Sequence, residues 1–472
     1  MTFAQLRVAL LLIAVAATAC LMPAQADTYW HLRAGQDLFA SGHVPLIDAY
    51  SHTARGMPWP NHEWLWQALS YAAFRTGGMP LLVLVGAAFA TAACVASFRL
   101  MRARPSVNFL LAVLTIPLAS VVWALRPQIA SMFLLVALLH LIVAERFWVI
   151  PPLFALWANL HGAVAMGGVV LVTATGVAWF GDADRTRFKR LAIVTVCAGA
   201  LTAATPMGPR LWLFIGESMA RSRQNQIMEW LPSYPQGPIE IAFWVSALVL
   251  VAITWRRWRQ LKSWEDRVIV AVSLVFLPLA ARAVRNIAPF FLLWGPAMSR
   301  LIGPEAHLPL PGRGRPPAAD PGAPVETEHP RLNIVLAALG VLGGVVAVAF
   351  CWSGPIDRLG WRPVPAAAAA AITACRGPLY NRYNEGGFLI WFVPGVPVFV
   401  DSRQDPYPAS LLTAHARAEI TGDARELFAR YRIGCAALPP ASPVVARLQT
   451  GGWRETYRDE AWIVMQDKGF DR

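Results

Sequence analysis

Residues 5–23, QLRVALLLIAVAATACLMP, run apolar behind a single Arg7 and are followed at once by Asp27-Thr28-Tyr29-Trp30-His31-Leu32-Arg33. About 20 apolar residues match the ~30 Å hydrocarbon core of a bilayer. The stretch therefore predicts a membrane helix that delivers an acid, an imidazole and a cation to the surface where it emerges. Ala24-Gln25-Ala26 has the small-x-small pattern of a signal-peptidase site. The chain continues as a multi-span sequence and the residues after Ala26 carry chemistry, so a retained first helix is preferred to a cleaved signal.

Working outward, further apolar blocks fall at 79–100, 107–124, 128–144, 147–160, 162–180, 190–206, 238–255, 266–282, 287–302 and 332–352. With the first, these make eleven expected spans. With the N-terminus inside, the inner connectors carry Arg102 and Arg104, Glu145 and Arg146, the cluster Arg185, Arg187, Lys189 and Arg190, and the cluster Arg256, Arg257, Arg259 and Lys262. Dense basic loops on the cytoplasmic side are what the positive-inside rule requires. The same rule accounts for the net charge of +13 without nucleic-acid binding. Apolar residues make up 56% of the chain, charged residues 15%, and the mean hydropathy is +0.45. These values exclude a disordered chain, a fibre and a disulfide-stapled secreted scaffold.

The expected fold is a polytopic α-helical membrane protein with a small C-terminal α/β domain. A helical body spans 1–302 and includes a first outer loop over 25–78. Residues 303–331 hold eight prolines and read as a cytoplasmic linker. A last helix over 332–352 leads to an outer domain over 353–472. There, Gly386–Trp391, Val396–Val400, Cys435–Leu438 and Trp462–Met465 read as strands and 409–431 as helical. Cys375 and Cys435 would lie in an oxidising compartment and are candidates to pair.

Polar chemistry collects at the outer face. Asp27, Asp48, His62 and Glu63 of the first loop are the candidate catalytic groups: a carboxylate to take a proton, an imidazole to support it. If 27–38 is helical, Asp27 and His31 are i,i+4 neighbours on one face. His62 and Glu63, being adjacent, would point about 100° apart on a helix. Asp27, Asp48 and Glu63 are also the candidates to hold a divalent cation, Mg2+ or Mn2+, although their spacing matches no standard metal motif. Arg126, Asn159, His161, Glu229, Arg282, Arg285 and Asn286 fall on the same side, and a cation there needs a partner or a ligand. Arg282 and Arg285, spaced i,i+3, could clamp a diphosphate from one helix face, or else pair with the acids of the loops. In the outer domain, Asp401 and Arg403 follow a predicted strand and could contact a sugar or form a self-satisfied turn.

Asp27 just after the first helix, Trp30-His31-Leu32-Arg33-Ala34-Gly35, Pro45-Leu46-Ile47-Asp48-Ala49-Tyr50-Ser51 and Asn61-His62-Glu63-Trp64-Leu65 together resemble a group of bacterial multi-span proteins described as glycosyltransferase-like. The match continues through Arg126-Pro127-Gln128, Trp157–Gly162, Glu229-Trp230, Arg285-Asn286, Tyr383–Gly387 and Asp401-Ser402-Arg403. More broadly, the layout is similar to the GT-C superfamily, whose members use polyprenyl-phosphate-linked sugars. The resemblance implies an inside N-terminus, a long first outer loop with a catalytic acid and an external C-terminal domain. Carried onto this chain, that acid is Asp27, with Asp48 as a second candidate. Many members place two consecutive acids after the first helix; here Asp27 is followed by Thr28.

The expected activity is transfer of a sugar from a polyprenyl-phosphate-linked donor to an envelope glycan or lipid acceptor at the periplasmic face of a bacterial inner membrane. The alternatives are a lipid or polysaccharide transporter, which would need polar groups at mid-membrane depth, and a non-catalytic envelope assembly protein.

Overall fold

The computed structural model describes residues 1–472 except 182–184, 225–227, 305–328, 354–358 and 472. The expected linker over 303–331 lies almost wholly outside the described residues. The membrane-side helices are α1 (Phe3–Ala19), α2 (Ala26–Ser41), α3 (Trp64–Arg99), α4 (Pro105–Ser120), α5 (Gln128–Val143), α6 (Ile150–Leu160), α7 (Val164–Gly181), α8 (Thr186–Leu201), α9 (Arg210–Gln224), α10 (Pro238–Arg257), α11 (Trp264–Arg282), α12 (Ile287–Ile302) and α13 (Pro330–Ser353). Each of the eleven expected spans coincides with one of them, and α2 and α9 are additional. Four of these helices are long and apolar enough to cross a membrane: α3, α7, α13, and α10 with the short turn that extends it to Gln260.

Two helices show how burial sorts these apolar sequences. In α12 every residue from Ile287 to Leu301 is buried, because α3, α4, α5, α10 and α11 surround it. In α13 only Asn333 is buried, although the helix is as apolar as any in the chain. It rests on α1 and turns its remaining Leu, Val and Ile outward. An apolar surface all round is stable in lipid and not in water.

The C-terminal region holds α14 (Ala366–Ala374), β1 (Leu379–Asn381), α15 (Tyr383–Phe392), α16 (Ala409–Thr421), α17 (Arg425–Tyr431), β2 (Cys435–Leu438), α18 (Pro443–Thr450), β3 (Arg454–Arg458) and β4 (Ile463–Gln466). The strands form one sheet in the order β1-β2-β4-β3; β1 is parallel to β2, and the other pairs are antiparallel. β2 and β4 lie where strands were expected, and 409–431 is helical but divides at Gly422-Asp423. Gly386–Trp391 is a correction: it is helical, within α15, not a strand. A Cβ on Gly387 would stand 2.1 Å from the Ala26 carbonyl oxygen, and one on Gly386 would stand 2.1 Å from that of Val400. The glycines therefore let the first turn of α15 press on the start of α2 and on the 400–401 backbone, a tertiary gain that outweighs their poor helix propensity. Val396–Val400 is likewise no regular strand; Val398 makes a single parallel bridge to Ser51.

Cys375 and Cys435 form a disulfide that closes 60 residues and ties α14 to β2. A loop of this length is worth roughly 4 kcal/mol of unfolded-state entropy. The double variant C375S/C435S is expected to lose about 2–4 kcal/mol of C-terminal stability, read as a lower unfolding midpoint matched by reduction of the wild type.

The first loop is bound into this region. Val398 N–H donates to Tyr50 O and His52 N–H to Val398 O, both at 3.0 Å, and the His52 ring meets Leu379 O at 2.8 Å. Beneath these bonds Arg403 donates to Asp48 at 2.5 Å and to Asp401 at 2.7 Å, with all three side chains sealed from solvent. Tyr50 and Trp59 flank the guanidinium at 4.8 and 4.7 Å.

Candidate active site

A cavity of about 1280 Å³ lies where α2, the 59–63 segment, the 126–128 turn, the 161–166 segment, α9, the 229–230 and 285–286 turns and the C-terminal region meet. Drug-sized pockets are usually about 300–1,000 Å³, and this one is larger.

Two arginines and a glutamate form one wall. Arg126 Nε pairs with Asp27 Oδ2 at 2.9 Å, and Arg126 Nη1 reaches Glu229 Oε2 at 3.4 Å. Arg285 Nη1 reaches the other oxygen, Glu229 Oε1, at 3.1 Å and lies 4.4 Å over the Trp230 ring. Glu229 therefore bridges two cations brought from turns 159 residues apart. Burial works against charge on Arg126, but Asp27 and Glu229 outweigh it and hold its pKa above the ordinary arginine value. In Arg285 burial wins over Glu229 and the pKa is lowered. Burial would raise Glu229; Arg285 and Arg126 overcome it and pull the carboxyl down.

Asp27 is fully dressed. Its Oδ1 accepts from Trp30 Nε1 at 3.1 Å and from the Ser402 hydroxyl, while Oδ2 faces Arg126. Ser402 comes from the C-terminal region and is held by the Arg403 network one residue on. Sequence reasoning quoted Ser402 but did not select it; its signal was only its position between Asp401 and Arg403.

Glu63 is the opposite case. It caps the start of α3 with no side-chain bond of its own, and three imidazole nitrogens stand around it: His31 Nε2 at 3.7 Å from Oε2, His62 Nε2 at 3.7 Å and His161 Nε2 at 3.6 Å from Oε1. Burial first, then the charge of Asp27, push the Glu63 carboxyl up to about 8, against Arg126 and Arg285. Burial likewise lowers His31, His62 and His161, so the rings are neutral near pH 7. His62 and Glu63 share the cavity because they precede the first turn of α3, so the 100° helical offset does not apply to them.

The structure brings Asp27, His31, His62, Glu63, Arg126, His161, Glu229, Arg285, Asn286 and Arg403 to the cavity wall. It leaves Asp48 and Asp401 behind the wall, bound to Arg403. Asn159 also stays off the cavity and bridges helices: its amide donates to Ala155 O and Ala204 O, both at 2.8 Å, and accepts from Trp64 Nε1. The Arg282–Arg285 clamp is a correction. α11 ends at Arg282 and Ala283 is extended (φ −155°), so the two arginines share no helix face; Arg282 is exposed and off the cavity. Arg285 finds Arg126 instead. Among the described residues no group of three or more His, Cys, Asp or Glu is gathered as a metal site.

No family model and no curated protein matches this chain. Solved structures do. The oligosaccharyltransferase of Archaeoglobus fulgidus, in its apo form, superimposes with a TM-score of 0.55 at 10% identity over 90% of this chain and 69% of that one. ArnT from Cupriavidus metallidurans, also apo, superimposes with a TM-score of 0.52 at 14% identity over 96% of this chain and 95% of that one. At these identities the likeness is one of fold: this chain shares the multi-span helical architecture of those two proteins.

Proposed function

We propose that this protein is a GT-C-type glycosyltransferase that takes a sugar from a polyprenyl-phosphate-linked donor and passes it to a hydroxyl of an envelope glycan or lipid. One observation carries the reading: Arg126 and Arg285, joined through Glu229, lie in the same cavity as Asp27 and Glu63. Arginines suit a phosphate oxygen geometrically and stay charged at any working pH. A carboxylate beside them can take the proton that an attacking hydroxyl must lose. The apolar cavity side chains Met166, Val169, Phe214, Ile215 and Met219 offer the adjoining surface a prenyl chain needs. The resemblance drawn from the sequence adds attack with inversion at the anomeric carbon, an inside N-terminus and a periplasmic site.

The test is direct. Purified protein in nanodiscs is mixed with a polyprenyl monophosphate and followed by native mass spectrometry. Saturable binding that a neutral prenol does not compete away supports a lipid-phosphate site. Equal binding of phosphate and prenol, or none, overturns it and favours an assembly role.

A further inference from the structure

Two carboxylates share the cavity, and the structure equips them for different work. Asp27 accepts from Trp30 and Ser402 on Oδ1, and its Oδ2 is ion-paired with Arg126. Glu63 receives no hydrogen bond from any described residue, and its nearest neighbours are ring nitrogens 3.6–3.7 Å away. Those rings are held from behind. His62 Nδ1 lies 3.2 Å from Pro60 O. A carbonyl only accepts, so Nδ1 carries the hydrogen and Nε2 turns a lone pair toward Glu63 Oε1. His161 Nδ1 is bound to Ser131 Oγ at 2.9 Å, and Trp157 Nε1 donates to the same hydroxyl at 2.8 Å. His31 Nδ1 is buried without a partner, so no second bond holds charge on that ring. The His62 lone pair facing Glu63 Oε1 repels a carboxylate there; a proton between them turns the repulsion into a bond.

We infer that Glu63 takes the acceptor's proton in this site, and that Asp27 is a positioning residue that anchors Arg126. The assignment rests on the transferase reading above. In the step, which the ionised form of Glu63 carries out and which therefore speeds up as pH rises through about 8, the acceptor O–H bond breaks and its proton goes to a Glu63 oxygen. The acceptor oxygen forms a bond to the anomeric carbon as the bond from that carbon to the donor phosphate breaks. The leaving polyprenyl phosphate keeps that electron pair, and Arg126 and Arg285 hold its charge. Glu63 can take the proton without disturbing any hydrogen bond, whereas protonating Asp27 would cancel the charge that holds Arg126. A general base works best with a pKa near the working pH, and the raised proton affinity of Glu63 brings it toward that range. The titratable and charged groups near Glu63 are His31 and Asp27 from α2, His62, Arg126, His161 and Arg285.

The experiment compares E63Q and D27N in nanodiscs by three readouts: polyprenyl monophosphate binding, sugar transfer or hydrolysis from a polyprenyl-phosphate-linked hexose, and infrared difference spectra that need no substrate. E63Q is expected to keep lipid binding, which also reports its folding, and to lose roughly 10²–10⁴-fold in kcat. D27N is expected to raise KM through a loosened Arg126 while kcat stays within about tenfold, one proton-transfer contribution being larger than that. In the infrared, a protonated carboxyl band at pH 7 is expected in wild type and D27N, fading as pH rises through about 8, and absent from E63Q. E63D, which retracts the carboxylate but keeps it, is expected to recover part of the turnover. Loss of turnover in D27N with retention in E63Q overturns the assignment, as does wild-type turnover that fails to rise as pH passes through about 8. Failure of wild type to bind the lipid phosphate is a different result and removes the transferase reading itself.

Discussion

Replacing Arg403 with methionine is expected to destabilise the protein by about 3–5 kcal/mol, the cost of stranding a buried charge whose partner is removed. Here two are stranded, because Asp48 and Asp401 both pair with Arg403 and none of the three side chains reaches solvent. Some of the loss is relieved by Ser51, whose hydroxyl donates to Asp48 at 2.6 Å, and by Tyr407, whose hydroxyl donates to Asp401 at 2.5 Å. The triple variant D48L/D401L/R403M is expected to recover much of it, since apolar replacement of a whole buried ionic set is often neutral or stabilising. Unfolding midpoints in detergent decide the matter: a single variant as stable as wild type would mean that the network bears little of the fold. The single variant should also loosen the 401–403 turn, and with it the Ser402 hydroxyl on Asp27.

The second large effect concerns the arginines. R285A is expected to weaken polyprenyl monophosphate binding by roughly 10–100-fold, the range of one hydrogen bond to a charged group at about 1.5–3 kcal/mol. R126A should do the same and additionally free Asp27 Oδ2. E229Q is expected to act in the opposite direction. Glu229 now satisfies both guanidinium groups, at 3.4 and 3.1 Å, and removing its charge leaves them for the phosphate. Tighter binding in E229Q together with weaker binding in R285A is the pattern required. Weaker binding in all three would make Glu229 a scaffold that holds the arginines in place.

Much of the architecture was legible before any coordinates. The apolar lengths located eleven helices because a segment that must satisfy its backbone inside lipid has little choice but to be helical. The spacing of acids, imidazoles and cations in the intervening loops identified most of the cavity wall. Patterning was weaker where local propensity and tertiary contact disagree. Gly386–Trp391 read as a strand, yet it lies within α15, where the two glycines allow the backbone approaches to Ala26 and Val400.

What the sequence by itself determined was the membrane class, the helical segments and the stock of functional groups, each encoded by composition and short-range periodicity. What only the tertiary structure decided was partnership. Asp48 looked like Asp27 in sequence, and it became part of a buried ion pair with a residue 355 positions away. Arg282 looked like the partner of Arg285 until α11 ended between them. Glu63 stood behind Asp27 as a candidate acid until Asp27 was found hydrogen-bonded through Oδ1 and ion-paired through Oδ2, and Glu63 hydrogen-bonded through neither oxygen. Such differences arise from contacts between distant segments, and the proton affinity of a carboxyl depends on which neighbours the fold places beside it.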